Sequence, residues 1–384
     1  MKIKKKQYRI LYICPLPYIG SMTFVMESIH LFQTENFKID LLVSDNCDPP
    51  LNIDTKDINI YYYKDKGSMR GAKYFYSLIE SICLVRSRTY DLIIGISQIG
   101  LIISSLLKMI RRVPIIFFND EIWFGNERRH YYENIIGYMI KALEVIANQN
   151  AILTVTQDCT RGYYLSKVNK INERKIRYLP NSQPGLAKIS KSTYLHDLLG
   201  IKKNRLVILW MGAVSPGDGA LELAQMVSRL PTKFVLVFHF RSENHSAYMK
   251  NIIDCADNKS LFVSVKPVPY EMINQIVNSA SIGIGVYAKK GINTEYMGYS
   301  SGKINTFLKC GIPVIVSRFK GLNWIQKFKA GIQVDGVLEI LEAIGIISQQ
   351  YDYFQANTLS AYKENLRFEL YFESLSDEIK QILR

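Results

Sequence analysis

The sequence predicts an α/β protein made of two doubly wound parallel-sheet domains facing each other across a cleft. Three observations lead there. Short apolar segments rich in β-branched residues alternate with helical patterns, the order that gives parallel sheets covered on both faces. The alternation stops at a polar stretch, "SQPGLAKISKSTYLHDLLGIKKN" (182–204), and then begins again. The chain has 384 residues, 48% of them apolar, which is long for one ordinary domain and ample for two cores.

In the first half, "YRILYIC" (8–14) reads as a strand ending in the turn-rich "PLPYIGS", followed by a helix from Met22 to about Phe32. "FKIDLLVS" (37–44) and "INIYYY" (58–63) are further strands. "YDLIIGIS" leads into a helix near 99–110, and "VPIIFFND" (113–120) is the next strand. A helix over roughly 130–147, a strand "AILTVT" (151–156) and "KIRYLPNS" (175–182) complete this half. In the second half "RLVILWMGAVSPGDGALELAQMV" reads as strand, Gly-rich turn and helix. "KFVLVFHF", "SLFVSV", "SIGIGVYA", "IPVIVS" and "AGIQVD" supply more strands. The domains are expected at 1–190 and 200–370, with a closing segment at 371–384. Ligands of such sheets bind beyond the carboxyl ends of the strands, so the loops there are the places to look.

One loop stands out. "YMGYSSGKINTFLKCGIPVIVS" (296–317) sets a Ser-Ser-Gly-Lys run ahead of a helix whose buried face is Ile304, Phe307 and Leu308. Gly311 ends that helix and Pro313 prevents its continuation. Ser300 or Ser301 is the N-cap, with Gly302 and Lys303 in the first turn, where unpaired amides and the helix dipole favour an anion. A capped helix with a solvated lysine fits an isolated run of this kind equally well. An ATPase P-loop does not fit, because Gly298 to Gly302 is one residue short and Ile304 stands where a hydroxyl is needed. "GIGVYA" (283–288) matches a dinucleotide fingerprint by letter but lies inside a strand, so the match is taken as accidental.

Composition narrows the rest. Lys plus Arg is 48 against 34 for Asp plus Glu, a net charge of +14 that suits an anionic partner. No nucleic-acid motif accompanies the charge, so no nucleic-acid partner is expected. "MKIKKK" runs into a short strand and does not read as a signal peptide; it suits a segment lying against anionic lipid or a disordered solubilising tail equally well. The apolar run 92–110 is broken by Ser97, Gln98, Ser104 and Ser105 and divides into strand, turn and helix, not a membrane span. Cys14, Cys47, Cys83, Cys159, Cys255 and Cys310 form no C-x-x-C pair, which suits reduced thiols in the cytoplasm. The five histidines show no zinc spacing, and no metal site is expected.

Taken in order, several segments resemble the nucleotide-sugar glycosyltransferases of the GT-B fold, above all the group 1 (family 4) type. They are "IRYLPNSQP", "VILWMGAVSPGDGALELAQMV", "VKPVPYEMINQIVNSASIGIGVY", "SSGKINTFLKCGIPVIVS", "VPIIFFNDEIWF" and the closing "FESLSDEIKQIL". The resemblance implies two Rossmann-like domains, an N-terminal one for the acceptor and a C-terminal one for the donor, with the last helix returning to the first. It implies transfer of a sugar from a nucleoside diphosphate sugar, the substrate, to a glycan or lipid-linked acceptor, with no cofactor and no metal. Gly20, Gly212, Ser215, Val268, Ser300, Ser301, Gly302 and Lys303 are the implied donor contacts. Asp120 or Glu121 is the implied base or acceptor-positioning group. The chain departs from the family at four positions: Ala213 and Asp218 replace its Arg and Lys, Thr306 its Glu, and Asp120 its His. Arg241 is the candidate replacement for the missing charge, and Asp218 is expected to cap its own helix. The alternatives are a sugar-nucleotide epimerase or hydrolase of the same fold, or a non-catalytic sugar-binding partner. The aromatic-basic stretch 61–79, with Lys64, Lys66, Arg70 and Lys73, together with "MKIKKK", suggests a peripheral position on an anionic inner membrane face.

Overall fold

The computed structural model describes residues 7–47, 58–65, 72–123, 131–240, 246–266 and 268–384, with the side chains of 131–134 excepted. The chain divides into two compact units. One comprises Met1–Asn181 with Phe368–Arg384, the other Ser182–Arg367.

The first unit carries strands β1 (Arg9–Ile13), β2 (Lys38–Ser44), β3 (Ile58–Tyr63), β4 (Leu92–Ile96), β5 (Ile115–Phe118), β6 (Leu153–Thr156) and β7 (Ile176–Tyr178). They form a seven-stranded parallel sheet in the order β3-β2-β1-β4-β5-β6-β7. Its helices are α1 (Thr23–Thr34), α2 (Ala72–Ser87), α3 (Ser97–Leu107), α4 (Tyr131–Asn150) and α5 (Cys159–Asn169). Side chains alternate along each strand, so Ile10 and Tyr12 enter one core while Leu11 and Ile13 enter the other.

The second unit starts with α6 (Tyr194–Leu199), followed by β8 (Leu206–Met211), α7 (Ala220–Gln225), β9 (Phe234–His239), α8 (Ala247–Asp254) and β10 (Leu261–Ser264). Then come α9 (Ile273–Val277), β11 (Ile282–Gly285), α10 (Ile292–Glu295), α11 (Gly302–Lys309) and β12 (Val314–Ser317). It closes with α12 (Asn323–Lys327), β13 (Gly331–Val334), α13 (Val337–Gln349) and α14 (Tyr351–Asn365). The six strands are parallel, in the order β10-β9-β8-β11-β12-β13. Val207, Leu209 and Met211 of β8 share a core with Ile304, Phe307 and Leu308 of α11, whereas Ile208 and Trp210 face the opposite side.

The stretch 182–204, expected to link the domains, is folded into the second unit. Leu195 and Ile201 are buried in its core, Ser182 Oγ donates to the Leu366 carbonyl at 2.6 Å, and Lys188 N donates to the Lys309 carbonyl at 2.9 Å. Two buried apolar residues, with Ala187, Tyr194 and Leu199 packed beside the same core, dock an otherwise polar stretch. The last helix, α15 (Phe368–Ile382), belongs to the first unit. Phe368, Phe372, Leu375 and Ile379 form one helix face, with Phe372 against Phe32 at 4.7 Å between ring centres. Glu378 holds Arg177 through two charge-assisted bonds of 2.5 Å, and Lys380 pairs with Glu35 at 3.0 Å.

Candidate functional site

In each sheet the order reverses beside the strand that begins it, β1 between β2 and β4, and β8 between β9 and β11. Loops leaving two such neighbours run to opposite faces, and the crevice between their ends is where α/β proteins of this type take ligands.

In the second unit, α11 starts at that crevice because β11 is narrow beneath it. A Cβ on Gly283 would lie 2.5 Å from Phe307 Cγ, and one on Gly285 would lie 2.7 Å from Ile304 Cγ1. The "GIGVYA" glycines thus seat a helix and cradle no phosphate. Ser301 is the N-cap: its Oγ accepts from Ile304 N at 3.3 Å and pairs with the Tyr287 hydroxyl at 2.6 Å. Tyr287 is in turn fixed to the end of β12, its amide donating to Ser317 Oγ (2.9 Å) and its carbonyl accepting from the same hydroxyl (3.2 Å). The first helical bond runs from Asn305 N to the Ser301 carbonyl, so the amides of Gly302 and Lys303 precede it at the positive end of the helix. Lys303 Nζ lies 4.3 Å from the ring centre of Tyr287 and 5.3 Å from that of Trp210. Two aromatic faces therefore hold an ammonium group beside the start of the helix.

The loop after β8 approaches from the other side. Gly212, at φ +91°, turns the chain out of the strand, a conformation that an L side chain resists. Lys290 Nζ, from the loop after β11, donates to Ser215 Oγ at 3.0 Å and so ties the two loops together. Asp218 points into its own turn. Its carboxylate accepts from Ser215 N (2.6 Å), Ala220 N (2.9 Å) and the Tyr248 hydroxyl (3.1 Å), and the residue is buried. Thr306 is buried too, its hydroxyl donating to the Gly302 carbonyl at 2.7 Å within the helix. Ser300 sits in the turn leading to the cap, and Val268 is half-buried on the core that Tyr287 also flanks. Arg241 lies outside the described residues.

In the first unit, polar groups gather at the ends of β1, β4, β5 and β6. Asn119 and Asp120 follow β5. Asn119 Nδ2 and Gln98 Nε2 both donate to the Glu121 carbonyl, at 2.8 and 2.6 Å, fixing the turn, while the Glu121 residue is exposed. Among the described residues, Ser97 Oγ, Asn119 Oδ1 and Asp120 Oδ1 are buried without a hydrogen-bond partner. Unmatched buried acceptors are costly and mark a place where a polar ligand group would be welcome. Burial, reinforced by Glu121, pushes the Asp120 carboxyl up to about 7. Arg161, buried on α5, donates from Nη2 to the Asp120 carbonyl at 2.7 Å; burial pulls its guanidinium down, and Asp158, Glu121 and Asp120 oppose the shift. Ser97 begins α3 directly after β4 at φ +63°. The turn is that tight because a Cβ on Gly95 would meet the Gly100 backbone at 2.7 Å. Gly20 lies in the short helical turn Ile19–Ser21 after β1, also in the first unit.

The structure bears out the Ser301 cap and places Lys303 and Gly212 near it and Asp120 at the end of β5; Tyr287, Trp210, Lys290, Ser97, Asn119 and Arg161, which the sequence did not single out as site candidates, lie beside these groups. The flanking glycines around Ser97 were the available signal. For Tyr287 the signal was its place two residues past a strand end. Among the described residues no group of three or more His, Cys, Asp or Glu is placed to hold a metal ion. No helix there is long and apolar enough to cross a membrane. All six cysteines are free thiols.

No family model and no curated protein sequence matches the chain. Solved structures do. It is similar to sucrose-phosphate synthase from Thermosynechococcus elongatus at TM-score 0.71 and 14% identity, over 98% of this chain and 99% of that one. Anabaena HepE in complex with UDP and glucose gives TM-score 0.74 at 13% identity, over 98% and 100% of the two chains. A putative UDP-N-acetylglucosamine 2-epimerase from Listeria monocytogenes gives 0.64 at 10%, over 98% and 97%. Likeness of this extent at such low identity establishes architecture, and the chain has the GT-B fold of two Rossmann-like parallel-sheet units.

Proposed function

We propose that the protein is a glycosyltransferase that moves a sugar from a nucleoside diphosphate sugar to an acceptor hydroxyl. One observation carries the reading: the Ser301-capped start of α11, with Lys303 held over Tyr287 and Trp210 at the crevice of the second sheet. The HepE complexes contain UDP, glucose or UDP-glucose, which supports a uridine nucleotide donor here. As the anomeric bond breaks, negative charge grows on the departing diphosphate. Lys303 and the amides that open α11 stabilise that charge more in the transition state than before it, and the step needs no metal. Asp120 takes the proton of the acceptor hydroxyl, its unmatched Oδ1 being the accepting atom. Ser97 and Asn119 orient the acceptor. The acceptor is a glycan or lipid-linked precursor at an anionic membrane face in surface polysaccharide synthesis, a placement that the +14 charge supports.

Thermal-shift measurements against a panel of nucleotide sugars test the donor site, since only a ligand of the folded state raises the melting temperature. Stabilisation by one nucleotide class in the parent and its loss in Lys303→Ala are expected. No stabilisation by any member would overturn the reading. An epimerised sugar nucleotide formed without acceptor would favour the activity named in the Listeria structure instead.

A further inference from the structure

Helix α4 is amphipathic in the reverse sense. The face turned to the rest of the first unit is small or polar: Gly137, Lys141, Glu144, Ala147 and Asn148 are buried, with no large apolar side chain among them. Lys141 Nζ donates to Glu144 Oε2 (3.0 Å) and Asn169 Oδ1 (2.5 Å), Asn169 Nδ2 donates to Glu144 Oε1 (2.9 Å), and Thr154 Oγ1 donates to Asn148 Oδ1 (2.6 Å). The outward face is apolar. Ile135, Ile136, Tyr138, Met139, Leu143 and Ile146 are each 48–62% exposed, and no charged residue stands among them. A soluble helix normally does the opposite. Burying an ion pair while leaving such a stripe in water is costly on both counts, unless something covers the stripe.

The surroundings say what covers it. At the carboxyl end of α4, Lys108 Nζ donates to the Asn150 carbonyl (3.4 Å), and Lys175 Nζ donates to the carbonyls of Gln149 (2.9 Å) and Ala151 (3.1 Å). Arg174 adjoins Lys175, and Arg111 (which donates to the Arg86 carbonyl) and Arg112 follow Lys108 by three and four residues, against Glu173. Met109, beside Lys108, is 85% exposed. An apolar stripe with a basic end suits anionic lipid: the side chains enter the acyl boundary and the bases meet the headgroups.

We propose that the outward face of α4 lies in the surface of an anionic bilayer and anchors the first unit there. The proposal rests on the membrane-proximal acceptor described above and puts a contact on α4; the 61–79 stretch, of which 66–71 lie outside the described residues, is tested beside it. Vesicle binding is read without a sugar nucleotide, so failure of the transferase reading would leave this result untouched.

Co-sedimentation with vesicles of phosphatidylglycerol and phosphatidylcholine is the test. The parent should bind, more weakly in high salt, and Met139→Glu with Leu143→Glu should lower the partition coefficient at least tenfold. Its melting temperature should stay within a few degrees, because both sites are exposed. In a second variant, Met139→Trp, fluorescence should shift to the blue on adding the same vesicles. Lys64→Ala with Lys73→Ala should change binding less than twofold. The proposal is overturned if the parent ignores anionic vesicles or the glutamates leave binding intact. It is equally overturned if the parent is a dimer that those glutamates dissociate while no vesicle binding is seen.

Discussion

Replacing Asp120 by Asn separates what this carboxyl does to the fold from what it does in the proposed reaction. Burial and Glu121 raise it from 3.8 to about 7, and its Oδ1 has no partner. The unfolded chain ionises first, so between these two values the folded protein binds the extra proton and stability falls as pH rises. About three units at 1.36 kcal/mol each put the full loss at about 4 kcal/mol above pH 7. Asn has nearly the same shape and no charge, so it escapes this loss. Parent and variant should melt together near pH 4. At pH 8 the variant should melt higher by roughly 8–16 °C, at about 2–4 °C per kcal/mol for a unit of this size. Scanning calorimetry at the two pH values measures the gap. Activity should move the other way: transfer by the parent should rise through an inflection near pH 7, and the variant should lose that inflection with about 100- to 10,000-fold of its rate. Equal melting differences at both pH values would refute the raised carboxyl. Low activity with the inflection intact would move the base to Glu121.

Lys303→Ala should lower donor turnover about 10- to 150-fold, the worth of a charge-assisted phosphate contact of roughly 1.5–3 kcal/mol, with little change in melting temperature. Steady-state rates with a saturating acceptor read this, and a change below twofold counts against the site. Ser301→Ala removes both the cap and the partner of the Tyr287 hydroxyl; a loss of about 1 kcal/mol in stability should accompany a weaker donor KM. Gly283→Ala would drive a methyl group into the Phe307 ring, costing about 1–3 kcal/mol in denaturant melts and shifting the start of α11.

Much of the fold was legible because its signals are local. Alternating strands and helices, the restart in the second half, and Gly311 with Pro313 after α11 all lie within short windows of the chain. Candidate site positions were legible where a backbone feature marks them, as with the Ser301 cap and the turn at Gly212. Tyr287 and Trp210 were not, because their role depends on where Lys303 arrives from another loop. Asp218, expected to serve its own helix, does accept from the amides of its own turn, whereas nothing in the sequence showed that the Thr306 hydroxyl is spent on the Gly302 carbonyl. The segment 182–204 looked like a linker because its polar letters outnumber Leu195, Leu199 and Ile201, which decide its packing. The reversed polarity of α4 escaped a periodicity reading altogether, since periodicity gives the stripe and not the side on which it faces.

The return of α15 to the first unit fixes an order of assembly. A chain leaving the ribosome presents β1 to β7 early, but the apolar strip around Phe32 that Phe368 and Phe372 cover has no partner until residues 182–367 have been made. At roughly 5–20 residues per second that wait lasts about 10–40 s. During it the second unit has time to close, and the first remains an open half-product whose sheet is formed and whose last face is wet. Chaperone capture and premature termination should therefore act on the first unit, although it is translated first, and a chain that stops at Arg367 would carry a finished second unit beside an unfinished first one.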